Sequence, residues 1–185
     1  IVKNGSAMER LAEIETIAFD KTGTLTEGMP SVDTIITHGK NAKDEIVTMA
    51  AAIGSDSTHI LSKSIVDYAN NKKFKLAKTK QVKEIAGQGL IGRIGGKTVY
   101  VGRLSLLEEN GVKIPKTVSK KLAQTTIFVG VDSELAGHVT FKDHVRKEIK
   151  NMIKLLNKLG IKHTLMVTGD NSTTANAIAK QVGVS

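Results

Sequence analysis

The chain contains no cysteine and no tryptophan in its 185 residues, and only two prolines. The absence of cysteine excludes disulfide bridges, thiolate metal sites and cysteine nucleophiles within this chain. Aromatic residues make up 3% of the sequence, so a platform of stacked rings for single-stranded nucleic acid is not expected. The longest apolar run, Ile46 to Ile53, is interrupted by Thr48 and is far too short to cross a bilayer. With no signal peptide pattern at its start, we expect a water-soluble chain in a reducing compartment.

The charge of the chain is strongly biased toward lysine. Basic residues number 27 against 18 acidic ones, which gives a net charge of +9, and 23 of the 27 are lysines. Because base readout favours arginine, this composition predicts no nucleic acid partner. The densest basic group comprises Lys72, Lys73, Lys75, Lys78, Lys80 and Lys83. Such a run is typical of a solvated surface, and a position near an anionic lipid leaflet would also tolerate it.

Apolar patterning divides the chain into three segments. Residues 1–28 predict a short helix and a strand, and residues 143–185 predict a helix from Val145 to Leu159, a strand and a final helix. Alternating strands and helices with short turns indicate a parallel α/β sheet. Residues 29–142 combine two helical windows with short strands instead. We therefore expect an α/β domain formed by both ends of the chain.

The middle segment predicts an α+β insertion with an antiparallel sheet. Gly95-Gly96 and Asp132-Ser133 each separate two apolar strands, as in β-hairpins. The two helical windows run from Ala42 to Ile53 and from Ile60 to Tyr68, with a turn-rich stretch between them. The insertion is thus expected to form a second domain of its own.

The stretch Asp20-Lys21-Thr22-Gly23-Thr24-Leu25-Thr26 carries the clearest chemical signal. It follows an apolar strand, so Asp20 is expected at the carboxyl end of that strand, where open α/β sheets place their ligands. A carboxylate there can attack a phosphoryl group, and the glycine, hydroxyls and N–H groups of the loop can approach phosphate oxygens. The alternative is an aspartate that only caps a turn.

This stretch resembles the phosphorylation signature of the P-type ATPases, which belong to the haloacid dehalogenase superfamily. Along its whole length the chain resembles the cytosolic catalytic loop of the heavy-metal-transporting (type IB) pumps. The resemblance implies a haloacid-dehalogenase-like parallel-sheet phosphorylation domain, residues 1–28 and 143–185, interrupted by a nucleotide-binding domain, residues 29–142. ATP and Mg²⁺ are the implied cofactors.

The resemblance assigns roles to residues of the phosphorylation domain. Asp20 corresponds to the phosphorylated aspartate, and Lys21 and Thr22 belong to the same catalytic motif. Asp20 and the Thr22 carbonyl would bind magnesium. Thr22 also stands where the superfamily's phosphatases carry a second aspartate as general acid and base, so an acyl phosphate should persist. Thr168 would contact the transferred phosphoryl group and Asp170 would help to hold the nucleotide, since Thr168-Gly169-Asp170-Asn171 opens a helix.

A hinge between the two domains is implied at Asp143 and Arg146. The family usually has a proline directly after this aspartate, and here His144 stands there. A second interpretation of Asp143 is a helix N-cap, which is compatible with a hinge.

The insertion carries two motifs of the implied nucleotide pocket. Gly87, Gly89 and Gly92 form a glycine pattern that lines this pocket in the heavy-metal pumps, although the pattern alone also suits a turn between strands. His59 corresponds to the histidine that stacks on adenine. The family's proline after it is replaced by Ile60, and a glutamate five positions before it by Gly54. A histidine at a helix start can also be an ordinary surface residue.

The implied protein is an ATP-driven heavy-metal exporter at the cytoplasmic face of the membrane. Its membrane and actuator domains would be the partners of this chain, which we expect to be monomeric alone. Since no downstream magnesium aspartate and phosphate-binding lysine of the family occur in it, we expect the isolated chain neither to turn over ATP usefully nor to accumulate phospho-Asp20. We also expect no specific transition-metal site, given scattered histidines. Two alternatives stay open: a free-standing phosphatase of the same superfamily, and a non-catalytic basic nucleotide- or nucleic-acid-binding module.

Overall fold

The computed structural model describes residues 5–118, 124–169 and 172–184. The chain divides into two compact units, the first formed by Ile1–Gly28 with Asp143–Ser185 and the second by Met29–Lys142. In chain order the helices and strands are α1 Gly5–Ala12, β1 Thr16–Asp20, β2 Ser31–Thr37, α2 Lys43–Gly54, α3 Ile60–Asn71, β3 Thr79–Ile85, β4 Gly89–Ile94, β5 Lys97–Gly102, α4 Leu104–Glu109, β6 Thr126–Val131, β7 Glu134–Lys142, α5 Ile149–Lys158, β8 His163–Val167 and α6 Ser172–Val182.

The first unit is built on two parallel strands. β1 and β8 pair in register from Thr16 opposite His163 to Asp20 opposite Val167. One face of this pair contributes Phe19 and Met166 to an apolar cluster, whose buried members are Leu25, Ile149, Ile153 and Val182. The cluster holds helices α5 and α6 against the strands, as βα units require.

Helix α5 starts later than the periodicity predicts. The predicted helix begins near Val145, but α5 begins at Ile149. Val145 instead forms an isolated antiparallel bridge with Thr26. The backbone of Val145 therefore pairs with the loop after β1, and a helix that included Val145 would prevent this pairing.

The second unit contains a six-stranded antiparallel sheet with the order β2-β7-β6-β5-β4-β3. The predicted hairpins at Gly95-Gly96 and Asp132-Ser133 are confirmed as the β4–β5 and β6–β7 connections. Both edge strands are irregular: the register shifts between Val32 and Thr34 in β2 and between Lys80 and Lys83 in β3. Gln81, inside the second irregularity, has a φ of 54°.

Each face of this sheet has its own apolar cluster. Helices α2 and α3 cover one face, where Ile46, Ile53 and Ile65 pack on strand residues such as Val129 and Val139. The other face packs against α4 and the segment after it, through Leu107, Val112 and Phe128 among others. A sheet between two apolar layers forms an independent core. Together with the parallel pair of the first unit, it confirms the predicted fold class.

The two ends of the second unit lie side by side. Ser31 at the start of β2 pairs with Lys142 at the end of β7. Lys142 Nζ lies 2.8 Å from Asp33 Oδ1, and this hydrogen-bonded ammonium lowers the pKa of the Asp33 carboxyl.

Among the described residues, no helix is long and apolar enough to span a membrane.

Candidate functional site

The parallel pairing of β1 and β8 brings Asp20 and Thr168 to the same edge of the sheet. Asp20 is the last residue of β1 and lies opposite Val167, the last residue of β8, so Thr168 follows directly beside it. The Asp20 side chain is exposed. In parallel α/β sheets this edge is where ligands bind. The arrangement presents a carboxylate to solvent at the position that suits a nucleophile.

The loop after Asp20 turns sharply and then becomes buried. Thr22 (φ −78°, ψ 121°) and Gly23 (φ 78°, ψ −11°) have the dihedral angles of a type II turn, which requires a positive φ at its second central residue. The Thr26 N–H then donates to the Lys21 carbonyl at 3.0 Å. Thr26 and Leu25 are fully buried. The loop is thus anchored at its end while Thr22, Gly23 and Thr24 stay exposed.

Asp143 and Arg146 fix this loop from the second half of the same unit. The Thr26 hydroxyl donates to Asp143 Oδ2 at 2.6 Å. Arg146 donates from Nε to the Thr26 carbonyl at 3.1 Å and from Nη2 to the Gly23 carbonyl at 3.0 Å. The N-cap interpretation of Asp143 is wrong, because α5 starts six residues later and Glu148 occupies its N-cap. The aspartate is used to hold Thr26 instead.

The exposed part of the loop offers oxygen ligands. Arg146 engages the Gly23 carbonyl and Thr26 engages the Lys21 carbonyl, whereas the Thr22 carbonyl between them takes part in neither contact. In a type II turn the carbonyl of the first central residue points away from the turn. A carboxylate and a main-chain carbonyl are hard oxygen donors of the kind that Mg²⁺ prefers, so Asp20 and Thr22 fit this ion. Lys21 is only 7% exposed.

The second unit contains a cavity of about 270 Å³ that brings His59, Gly87 and Gly89 together. Its lining also includes the hydroxyl residues Ser57, Ser62, Thr125 and Thr126 and two charged residues, Glu84 and Arg103. The volume lies near the lower end of the range for small-molecule sites, which suits a nucleoside whose phosphates extend out of the cavity.

His59 is the N-cap of α3. Its Nδ1 accepts a hydrogen bond of 3.2 Å from the Leu61 N–H, and its own N–H donates to the Ser57 hydroxyl. This arrangement fixes the ring at the cavity wall and leaves its faces free of the cap hydrogen bond. Ile60 is the first helical residue, the position where proline is also favoured, so the helix starts normally without proline.

The glycine loop is shaped by one close contact between two glycines. A Cβ on Gly89 (φ 147°) would lie 2.3 Å from the Val101 carbonyl, and one on Gly102 would lie 2.3 Å from the Gln88 carbonyl. The Arg103 N–H donates to that Gln88 carbonyl at 2.8 Å. Gly87 (φ 70°) has open space around it. Strands β4 and β5 can approach this closely only because both positions lack a side chain.

Gly92 does not line the cavity with His59, Gly87 and Gly89. Gly92 is buried and is not among the described lining residues; a Cβ there would lie 2.6 Å from Ile53 Cδ1 in α2. Its small size serves helix–sheet packing, and its predicted binding role stays a prediction. Asp170 lies outside the described residues. Gly54, at the position where the family resemblance implies a glutamate, is buried, and a Cβ there would lie 3.1 Å from Ser62 Cβ of α3.

Three residues of these sites were not singled out by the sequence reasoning. Thr26 belongs to the Asp20 motif, but its burial and its bond to Asp143 cannot be seen in the letters. Glu84 lies shortly before the glycine pattern that starts at Gly87, which was the available signal, whereas Arg103 lies next to no motif named from the sequence. Within the described part of the chain, no group of three or more histidine, aspartate or glutamate side chains could hold a metal ion.

Comparison with known proteins gives one family match and several relatives. The model of the haloacid dehalogenase-like hydrolases matches residues 14–185. A cadmium-transporting ATPase of Staphylococcus aureus is 36% identical over 199 residues, and the match covers 100% of this chain and 27% of that protein. The chain therefore spans about a quarter of that relative's length.

Two solved structures resemble the whole chain. A zinc-transporting PIB-type ATPase in the E2.Pi state has a TM-score of 0.78 at 29% identity, over 100% of this chain and 30% of the other. The catalytic domain of the CPx-ATPase CopB-B, described for its conformational changes upon nucleotide binding, has a TM-score of 0.76 at 28% identity, over 100% of this chain and 64% of the other.

Proposed function

Because the chain belongs to the haloacid dehalogenase-like hydrolase family, we propose that it accepts a phosphoryl group from ATP on Asp20, as the ATP-binding and phosphorylation part of a heavy-metal-transporting P-type ATPase. One observation carries the proposal: an exposed aspartate at the carboxyl end of β1, beside Thr168 and directly before a loop held by Arg146. The whole-length similarity to transporting ATPases supports the assignment to a pump.

In the proposed reaction an Asp20 carboxylate oxygen attacks the γ-phosphorus of ATP. A bond forms between this oxygen and phosphorus while the bond from phosphorus to the bridging oxygen breaks, and ADP leaves. The Thr168 hydroxyl donates to an oxygen of the transferred group. Asp20 and the Thr22 carbonyl would hold Mg²⁺, whose positive charge would offset the negative charge of the phosphoryl oxygens. Catalysis of this kind depends mainly on positioning and electrostatics, so the anchoring of the loop by Thr26, Asp143 and Arg146 is part of the proposal.

Thr22 favours accumulation of the aspartyl phosphate over its hydrolysis. A threonine hydroxyl cannot act as a general base near neutral pH, whereas a carboxylate can. Water at the acyl phosphate therefore lacks a general base at this position. Persistence of this intermediate is what a transport cycle needs.

The nucleotide is proposed to bind the cavity of the second unit, with its base against His59 and its phosphates leaving past Gly87 and Gly89.

The transported ion belongs to the heavy-metal class. The names of similar proteins include cadmium and copper transporters, each 36% identical to the chain, and a zinc transporter at 29%. Membrane and actuator domains are the proposed partners, at the cytoplasmic face of the membrane. The metal itself is proposed to bind outside this chain.

The test is acid-quenched labelling with ATP that carries a labelled γ-phosphate, performed on the complete pump that the proposal implies. We expect a label that is stable in acid and released by hydroxylamine, as an acyl phosphate is. Asp20→Asn should abolish it, and Asp67→Asn on the exposed surface of α3 should retain it. Rapid hydrolysis of small phosphate esters without any label would indicate a phosphatase. If labelled DNA displaces bound ATP and the protein is again not phosphorylated, the chain would be a basic binding module.

A further inference from the structure

Helix α5 of the first unit exposes two neighbouring leucines. Leu155 is 57% exposed, and Leu159, the C-cap residue, is 73% exposed. The Leu159 N–H donates to the Leu155 carbonyl at 3.0 Å, so the two side chains lie one helical turn apart on the same face. Other residues of α5, among them Ile149 and Ile153, form the core of the unit. Exposed apolar side chains that lie together, unlike single ones, mark contact surfaces.

A row of lysines runs beside these leucines. Lys150, Lys154 and Lys158 recur every four residues and are all exposed, so they form a line along the outer side of α5. The helix contains no acidic residue. In the described part of the chain, none of the three lysines has an ion pair with a carboxylate. The row of three lysines and the pair of leucines together are called the exposed α5 face below.

This combination of side chains fits the surface of an anionic bilayer. Leucine side chains can enter the boundary between headgroups and acyl chains, while the ammonium groups beside them stay at the lipid phosphates. The cytoplasmic leaflet is negatively charged and attracts lysines that come within a Debye length of it. Nucleic acid fits less well, because leucine offers no ring for a base to stack on and lysine is not the usual reader of bases.

We infer that the exposed α5 face docks on the anionic cytoplasmic leaflet and holds the first unit against the membrane. The inference goes beyond the proposed function and rests on it only for the location of the chain. Docking requires neither ATP nor the carboxylate of Asp20, so membrane contact and phosphorylation can be measured separately.

The test is co-sedimentation of the 185-residue chain with vesicles at about 0.15 M salt, where a lysine acts only within roughly 8 Å of the surface. We expect binding to equimolar phosphatidylserine and phosphatidylcholine, and none to phosphatidylcholine alone. Replacing all three lysines of the face by glutamine should weaken binding about a hundredfold. Leu155→Gln/Leu159→Gln should weaken it about tenfold. Glutamine is a good helix former, so circular dichroism should show both variants folded.

Matched variants control for charge and for apolarity. Lys78→Gln/Lys80→Gln/Lys83→Gln removes the same charge from the exposed lysines of the second unit. Leu11→Gln removes a leucine of α1 that is 56% exposed, as Leu155 nearly is. Both variants should keep most of the binding, and Asp20→Asn should bind as the wild type does.

A fluorescent label reports whether the face enters the bilayer. Because the chain has no cysteine, a single introduced cysteine can carry an environment-sensitive dye. Asn151 is exposed and lies three residues before Lys154 and four before Leu155, between the two rows. The emission of labelled Asn151→Cys should shift to the blue on the mixed vesicles. Asn70→Cys, at an exposed position of α3, should show no shift.

Several results would overturn the inference. Equal losses from the two lysine variants would mean that the net charge of the chain attracts it without a particular face. Full binding by the leucine variant, or no shift at position 151, would mean that the leucines do not enter the bilayer. If the lysine row is needed for binding labelled DNA and the mixed vesicles are not bound, the face is a nucleic-acid interface. None of these results changes the expected labelling of Asp20, which tests the proposed function.

Discussion

Thr26 determines the shape of the loop that presents Asp20. It is fully buried, its N–H donates to the Lys21 carbonyl, and its hydroxyl donates to Asp143. The other carboxylate oxygen of Asp143 is buried and has no hydrogen-bond partner in the described part of the chain. The Asp143 carboxylate therefore depends on the hydrogen bond from the Thr26 hydroxyl, since its other oxygen has no partner among the described residues.

Thr26→Val should destabilise the first unit, and Thr26→Ser should not. Valine has nearly the same shape but no hydroxyl, so the half-buried Asp143 carboxylate loses its donor, at a cost of about 1–3 kcal/mol. Serine keeps the donor and loses only a methyl group. Urea unfolding measures the free energies of unfolding. Equal stability of the valine variant and the wild type would show that Asp143 does not depend on Thr26.

His59 combines a capping contact with its proposed stacking role, and two substitutions separate them. His59→Ala should lose both contacts. The free energy of ATP binding should weaken by about 1–2 kcal/mol, and the free energy of unfolding should fall by about 1 kcal/mol. His59→Asn should restore the cap, since asparagine is among the best N-cap residues, but should bind ATP as weakly as the alanine variant. Calorimetry and thermal unfolding give the two quantities. Recovery of ATP affinity with asparagine would indicate that the cap, and not stacking, supports binding.

A pair of histidines makes the second unit sensitive to acid. His38 Nε2 lies 2.9 Å from His138 Nδ1, and the rings are stacked. Burial lowers the pKa of both imidazoles, and the charge of His38 lowers the pKa of His138 further. Since the unfolded chain has the ordinary value of about 6.5, it binds more protons than the folded chain below that pH.

The free energy of unfolding should therefore be fully retained above about pH 7 and fall as the pH drops below 6.5. The double variant His38→Gln/His138→Gln keeps polar groups that can pair but cannot titrate. Its loss of stability between pH 7.5 and 5.5 should be smaller than that of the wild type, as measured by urea unfolding at both values. Parallel losses would mean that the pair does not couple to folding.

At the scale of the β4–β5 element, two neighbouring glycines should respond differently to substitution. Gly89→Ala forces a Cβ onto the Val101 carbonyl, so we expect a loss of about 3 kcal/mol and a distorted cavity. A Cβ at Gly87 would have no atom within 4 Å, so Gly87→Ala is costly only through its left-handed φ. We expect the free energy of unfolding to fall by about 1 kcal/mol. Chemical denaturation of both variants checks the order. A larger loss for Gly87 would contradict the close approach of the strands.

Local sequence signals predicted the elements whose determinants are local. The two hairpins, the two helices of the insertion and the strand-end position of Asp20 follow from turn residues and apolar periodicity, and all are confirmed. The start of α5 was missed because Val145 pairs with Thr26, a partner more than a hundred residues away. Periodicity cannot detect such a contact.

The candidate site was predictable only where the family resemblance supplied a motif. The resemblance to the haloacid dehalogenase superfamily is confirmed, and the cavity collects His59, Gly87 and Gly89. Glu84 enters it through the register of β3 with β4, which no motif encodes. The packing of Gly92 against Ile53 likewise depends on where α2 crosses the sheet.

At the scale of the whole molecule, residues 29–142 should fold by themselves. Their two ends are joined by the pairing of Ser31 with Lys142 and by the Asp33–Lys142 ion pair, so the segment can be excised without breaking a strand. The segment also contains both apolar clusters of its sheet. We expect dispersed amide resonances and one cooperative thermal transition. A molten segment without a transition would show that it needs the rest of the chain.

The irregular edges of the six-stranded sheet have a consequence for solubility. An open edge strand offers unpaired N–H and C=O groups to any other extended chain, and this is how sheets recruit one another into aggregates. In β3 the shift around Gln81 interrupts that row, and the exposed Lys80 and Lys83 on either side add repulsion. In β2 the shift between Val32 and Thr34 interrupts the opposite edge. Lys80 and Lys83 thus help to keep the sheet from growing by strand addition.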